Sequence, residues 1–283
     1  MIIFFENGRL GNQLFQYCGL RHYFPEQKLV FLGCEDLQRN FDSVDAQLIP
    51  KNVLGCWLPF GLIRRIVFFL VAVRFLGRIT EERDGEVFKL AVRKGVFWNT
   101  YVAEYVFFQH RDFVDQIHTP PILKPGLIQV ALDWLREKAI DLNSNKLVFV
   151  HIRRGDYLYW PSRELPAVLD LAWYERAIEA MQEKNKSAVF ILMGDDPFYL
   201  RDVFKESDRL VISDNPPEID MALMSLCHSG ILSASSFAWW GAFYARSNQK
   251  VDATFLAPQY WGGHRAKKWY PTNFRTSWIT YVE

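Results

Sequence analysis

From residue 146 onward, short apolar runs alternate with helical patterns, and that rhythm admits few folds. "LVFVHI", "AVFILMGDD", "RLVISDNPP", "ILSASS" and "VDATFLAP" read as strands, the last of them closing the series. Between them "DLAWYERAIEAMQEKN", a stretch opened by Pro197, "EIDMALMSLCHSG" and "FAWWGAFYAR" carry helical spacing, the third stopped by Gly230. Strands that alternate with helices in this way form a parallel sheet with helices on both faces. The fold class expected is therefore α/β, doubly wound, with ligands held beyond the carboxyl ends of the strands.

The first half is α/β as well but less regular. "IIFF" is a first strand, followed by a glycine-containing turn and a helix from about Asn12, and "KLVF" is a second strand. Residues 57–78 are strongly apolar yet hold Arg64, Arg65, Arg74 and Arg78. Their longest uncharged run is too short to cross a bilayer, which leaves a core helix with snorkelling arginines or a helix lying on a membrane surface. Residues 80–125 are hard to assign. A helix starts near Pro125, and the polar break "DLNSN" after it sets the expected boundary between domains at 1–142 and 143–283.

If the strands run parallel, the segments after four of them meet on one rim: "HIRRGDY", "GDDP", "SDN" and "SASSF". Arg153 or Arg154 offers the planar fork that binds phosphate oxygens, while one of the two is expected in a structural ion pair. Ser235, Ser236 and the amides of the helix they precede suit phosphate too, or act as plain helix caps. Asp195 or Asp196 suits the donors of a purine edge, or caps the helix opened by Pro197. His151 is either a ligand contact or a satisfied core histidine. The chain has no GxxxxGK[ST], so a nucleotide site here lacks the lysine of a P-loop. Arg154-Gly155-Asp156 directly follows an apolar strand, which argues against an adhesion loop.

A net charge of +1 excludes a general attraction to nucleic acid. Cys18, Cys34, Cys56 and Cys227 are scattered without a CxxC pair, so neither a zinc site nor a disulfide framework is expected. The opening "MIIFFENGRLGNQ" lacks the basic start and long apolar run of a signal peptide.

Three blocks resemble the inverting fucosyltransferases of glycosyltransferase family 11: "GRLGNQLFQY" at residues 8–17, "HIRRGDY" at 151–157, and "DMALMSLCHSGILSASSFAWWGAFY" at 220–244. Where that family usually has asparagine and serine, this chain has Ala234 and Ala238. The resemblance implies a GT-B-like architecture, two Rossmann-like domains facing across a cleft, with GDP-β-L-fucose as donor, held mainly by the second domain, and no metal. It implies Arg153, seconded by Arg154, as the neutraliser of the leaving pyrophosphate. His151 and Asp196 then become guanine or ribose contacts, and Ser235 and Ser236 phosphate contacts. Gly8 and Gly11 permit close backbone approach, and Arg9 and Asn12 reach the sugar or pyrophosphate. Asp156 is the leading general base, with Glu164 in reserve. The acceptor implied is a β-galactoside-terminated glycan, and the setting cytoplasmic, with peripheral membrane contact through 57–78 as an option. The alternatives are a nucleotide-sugar transferase with another donor or linkage, or a non-catalytic GDP- or carbohydrate-binding relative.

Overall fold

The computed structural model describes residues 1–52, 59–84, 87–96, 99–248 and 252–283. Cys56 lies outside the described residues. The chain divides into two compact units, Met1–Ile122 and Leu123–Glu283.

The first unit contains β1 (Ile2–Phe5), α1 (Leu10–Tyr23), β2 (Leu29–Leu32), α2 (Glu35–Asn40), β3 (Phe41–Asp42), β4 (Gln47–Ile49), α3 (Phe60–Ala72), β5 (Gly77–Asp84), β6 (Val87–Arg93), β7 (Tyr101–Glu104), α4 (Arg111–Val114) and β8 (Ile122–Leu123), whose last residue falls past the division. Its main sheet has the order β4-β2-β1-β7-β5-β6, parallel throughout except for the β5–β6 pair. That pair is an antiparallel hairpin inside the region that resisted sequence assignment. Its register closes on the Asp84–Val87 pair, and only its second strand, "VFKLAVR", is rich in apolar residues. Val71 of α3 is buried with Phe5, Val30, Leu32, Leu76 and Val102, so α3 is anchored to the sheet core.

The second unit contains α5 (Pro125–Glu137), β9 (Leu147–Ile152), α6 (Leu171–Lys184), β10 (Val189–Gly194), α7 (Pro197–Val203), β11 (Leu210–Ile212), α8 (Pro217–Leu226), β12 (Ser229–Leu232), α9 (Ser236–Asn248), β13 (Phe255–Pro258) and β14 (Thr280–Val282). All six strands are parallel, in the order β11-β10-β9-β12-β13-β14. Strand β9 is buried at every position because both of its faces are covered, which is why it reads as a continuous apolar run.

Three expectations shift. The units divide about twenty residues before the predicted boundary: α5 packs against α8 and belongs to the second unit, and the polar break is a turn within that unit. The helix α8 ends at Leu226, not at Gly230. Gly230 sits in β12, where a Cβ would lie 2.2 Å from the Phe149 ring, so glycine there serves strand packing, not helix termination. And β13 is not the last strand, because β14 adds parallel to it at the sheet edge.

Among the described residues no helix is long and apolar enough to cross a membrane. Cys18, Cys34 and Cys227 are buried, unpaired thiols, and burial pushes all three up, away from the reactive thiolate.

Candidate active site

Strand order points to where a candidate site lies. From β9 the chain steps to β10 and then β11 on one side, and returns to place β12 on the other side of β9. The crevice of a doubly wound sheet opens where this reversal occurs, at the carboxyl ends of β9 and β12. His151, the penultimate residue of β9, stands opposite Leu232 of β12. Its Nδ1 shares a 2.7 Å hydrogen bond with Ser233 Oγ across that switch point. The ring is only 4% exposed, and burial first, then the Arg153 charge, push its pKa down to about 3. His151 is therefore neutral at physiological pH.

The two arginines that follow turn to different partners. Arg153 Nη1 lies 2.9 Å from Asp195 Oδ2, and its Nη2 donates to Asp156 Oδ1. Its side chain is 12% exposed, so two carboxylates hold the guanidinium in a largely enclosed place. Arg154 lies 3.5 Å over the Tyr199 ring, with Nε 3.7 Å from Asp196, while its backbone N–H donates to Asp195 Oδ1 at 2.8 Å. Asp195 thus holds Arg153 and the start of the following turn together. Asp196 accepts from the Tyr199 N–H at 3.0 Å and so caps α7, the plainer of the two readings open for it. Gly155 allows this convergence, since a Cβ there would lie 2.4 Å from Asp195 Oδ2.

On the other side of β9, Ser235 Oγ accepts from the Phe237 N–H at 3.2 Å, and Ser236 begins α9. Tyr157 donates its hydroxyl to the Ala234 carbonyl at 2.8 Å, tying the arginine turn to the serine turn. Ala234 and Ala238 are both fully buried, so the two departures from the family pattern fall at packed positions. Asp156 is exposed and already engaged by Arg153. Glu164 is exposed, and its own N–H and the Ser162 hydroxyl draw its pKa down.

In the first unit the strand order reverses between β1 and β7, and the loop after β1 stands at that point. Gly8 has φ +90, and a Cβ there would meet Asn12 Nδ2 at 2.6 Å. Buried Gln13 donates to the Gly8 carbonyl at 3.2 Å and Gln16 to that of Asn7 at 2.9 Å, so the helix grips its own entry loop. Arg9 is exposed just ahead of α1, Gly11 is buried in its first turn, and Asn12 accepts from Gln109 at 2.9 Å.

Sequence reasoning passed over Asp220. It is 5% exposed in the first turn of α8 and accepts from Ser213 Oγ at 2.6 Å, beyond the end of β11. Burial pushes its pKa up to about 7. The available signal was an aspartate one helical turn after the "SDN" strand end. A carboxyl whose folded pKa is raised favours folding while it is protonated. That advantage disappears as pH rises from its unfolded value near 4 to about 7, at about 1.4 kcal/mol per unit of separation. Asp220→Asn keeps an acceptor for Ser213, so it should raise the melting temperature at pH 8 and leave it nearly unchanged at pH 4. Equal shifts at both pH values would rule out a buried titrating carboxyl.

The family model described as "Glycosyl transferase family 11" matches residues 87–282, most of the chain. The chain belongs to glycosyltransferase family 11. This family 11 chain is 25% identical over 294 residues to the O-antigen biosynthesis glycosyltransferase WbnK of Escherichia coli, covering 92% of this chain and 95% of that protein. It is 28% identical over 274 residues to an alpha-1,2-colitosyltransferase of Escherichia coli, with 90% of each covered. To galactoside alpha-(1,2)-fucosyltransferase 1 of Bos taurus it is 28% identical over 167 residues, 56% of this chain and 46% of that one. Among solved structures, POFUT1 in complex with GDP-fucose matches with TM-score 0.53 at 10% identity, over 90% of this chain and 97% of that one. The ADP-heptose heptosyltransferase II of E. coli matches with TM-score 0.52 at 10% identity, over 99% and 89%. The family 11 chain is a glycosyltransferase with the two-unit α/β architecture of the GT-B class.

Proposed function

We propose that the enzyme moves L-fucose from GDP-β-L-fucose to a galactoside hydroxyl in α-1,2 linkage, inverting the anomeric carbon and needing no metal. The observation that carries this reading is Arg153, a permanently charged fork held by Asp195 and Asp156 at the switch point of the second sheet. The bond from the sugar C1 to the pyrophosphate oxygen breaks as the acceptor oxygen bonds to C1, and negative charge grows on GDP. Arg153 meets that charge, helped by Arg154 and by Ser235, Ser236 and the amides at the start of α9. A pyrophosphate that takes over Arg153 competes with Asp156, freeing that carboxylate to receive the acceptor proton. His151, neutral and fixed by Ser233, and Asp196 contact the nucleoside. Arg9 and Asn12 contact the sugar or pyrophosphate, with Gly8 and Gly11 giving close approach. Arg153 lies 5.5 Å over the Tyr157 ring, and from Tyr157 a row of rings leads to Trp160 and then Tyr270, with centroids 5.0 and 5.3 Å apart in succession. Tyr270 is 43% exposed, giving the acceptor an aromatic surface for its apolar face.

The similarity to a colitosyltransferase over 90% of both chains favours one second reading, transfer of colitose, which is fucose without its 3-hydroxyl. Release of GDP, measured with EDTA present and with each of the two GDP-sugars across a panel of β-galactosides, separates the possibilities. Release from GDP-fucose that one galactoside strongly stimulates is the expected result. Turnover of GDP-colitose alone would establish the second reading. GDP binding without release from either donor would point to a non-catalytic relative.

A further inference from the structure

The helix α3 is apolar on two faces, and the fold uses only one of them. The packed face contributes Val71, with Phe60, Ile63, Val67, Phe68 and Leu70 partly buried against the sheet core. On the opposite side Leu62, Ile66, Phe69 and Val73 are 41, 44, 64 and 53% exposed. Their spacing of four, three and four residues keeps them on one stripe of a helix with 3.6 residues per turn. The stripe continues beyond the helix. The Val96 N–H donates to the Arg74 carbonyl at 2.8 Å, which brings Val96, 69% exposed, beside Val73.

Within the two segments that carry the stripe the charges are of one sign. Arg65 flanks it on the helix, and Arg74 follows Val73, both exposed. Exposed Arg93 donates to the Val71 carbonyl at 2.8 Å, fixing a cation at the carboxyl end of α3, with exposed Lys94 next to it. From Phe60 through Leu76, and from Val92 through Val96, there is no acidic residue. Exposed apolar side chains flanked within their own segments by cations match the boundary between acyl chains and anionic headgroups. A second protein is a poorer match, because five partly exposed side chains offer a few hundred Å², short of the ~800 Å² per partner of a stable interface.

We propose that α3, extended by Val96, docks the enzyme on the surface of an anionic bilayer, with Phe69 at the centre of the inserted stripe. This goes beyond the transfer reaction and does not depend on it. Purified full-length protein should co-sediment with vesicles of phosphatidylcholine mixed with phosphatidylglycerol and much less with phosphatidylcholine alone. Binding should weaken as salt rises. Phe69→Glu should reduce it about tenfold or more, and Arg65→Glu by about fivefold for each unit of charge lost. Both substituted side chains are in solvent, so melting temperatures should match the parent, and that measurement separates lost docking from lost folding. Absence of sedimentation with the anionic vesicles would overturn the proposal, as would a Phe69→Glu protein that sediments like the parent. A parent dimer that Phe69→Glu converts to monomer, with neither form binding vesicles, would assign the face to a second copy of the chain instead.

Discussion

Replacing Arg153 by alanine should lower kcat/KM for the glycosyl donor by roughly 100- to 1,000-fold, the usual cost of removing a fixed stabiliser of transition-state charge. The structure gives reasons to expect the upper part of that range. The guanidinium is 12% exposed and oriented by two carboxylates, so little reorganisation accompanies charge growth on the leaving group. Its removal also leaves Asp195 and Asp156 facing the same space with fewer cations between them. Lysine should restore only part of the rate, because it keeps the charge without the two-pronged geometry. Arg154→Ala should cost much less. That side chain lies against Tyr199 and Asp196, and its contribution to holding Asp195 is a backbone N–H, which the substitution leaves in place. Steady-state kinetics on the three variants, with melting curves to confirm folding, decide the matter. An Arg153→Ala enzyme within tenfold of the parent would remove Arg153 from the centre of the mechanism.

The contrast between the arginines shows what could be read in advance. That neighbouring residues just past a buried strand diverge was expected from strand geometry, with one arginine in an ion pair, whereas both meet carboxylates. Which carboxylate each arginine meets was not predictable, because Asp195 and Asp196 are adjacent in sequence and part company only when Pro197 starts α7. The parallel sheet of the second unit was legible because strands covered on both faces must be apolar throughout. The hairpin β5–β6 was obscured by charged residues such as Glu81, Glu82 and Lys89, acceptable at the less covered edge of a sheet. Gly230 misled for a related reason. A glycine near a helix end usually marks a cap, and only the fold reveals the Phe149 ring against it. Asp220 was missed because its character comes from burial, and no local pattern reports burial of a single carboxyl.

The second large effect concerns a motif residue that does no chemistry. Trp239, in the "SFAWWGAF" block, should cost about 3–5 kcal/mol of folding stability when changed to alanine. It is fully buried, with ring centroids 5.1 Å from Trp240, 5.3 Å from Phe243 and 5.6 Å from Trp278. Its Nε1–H donates to Thr276 Oγ1 at 2.8 Å, and Thr276 is itself buried, so truncation both opens a cavity and strands an acceptor. Urea unfolding of Trp239→Ala beside Trp239→Phe measures the effect, and phenylalanine should recover most of it by refilling the space while losing the hydrogen bond. A loss below about 1 kcal/mol for the alanine variant would mean the cluster is not the anchor of α9. Because Ser235 directly precedes α9 and Ser236 opens it, a loosened helix should also weaken binding of GDP, and the phenylalanine variant should restore both properties together. Recovery of stability without recovery of binding would separate the packing of α9 from the serine turn that begins it.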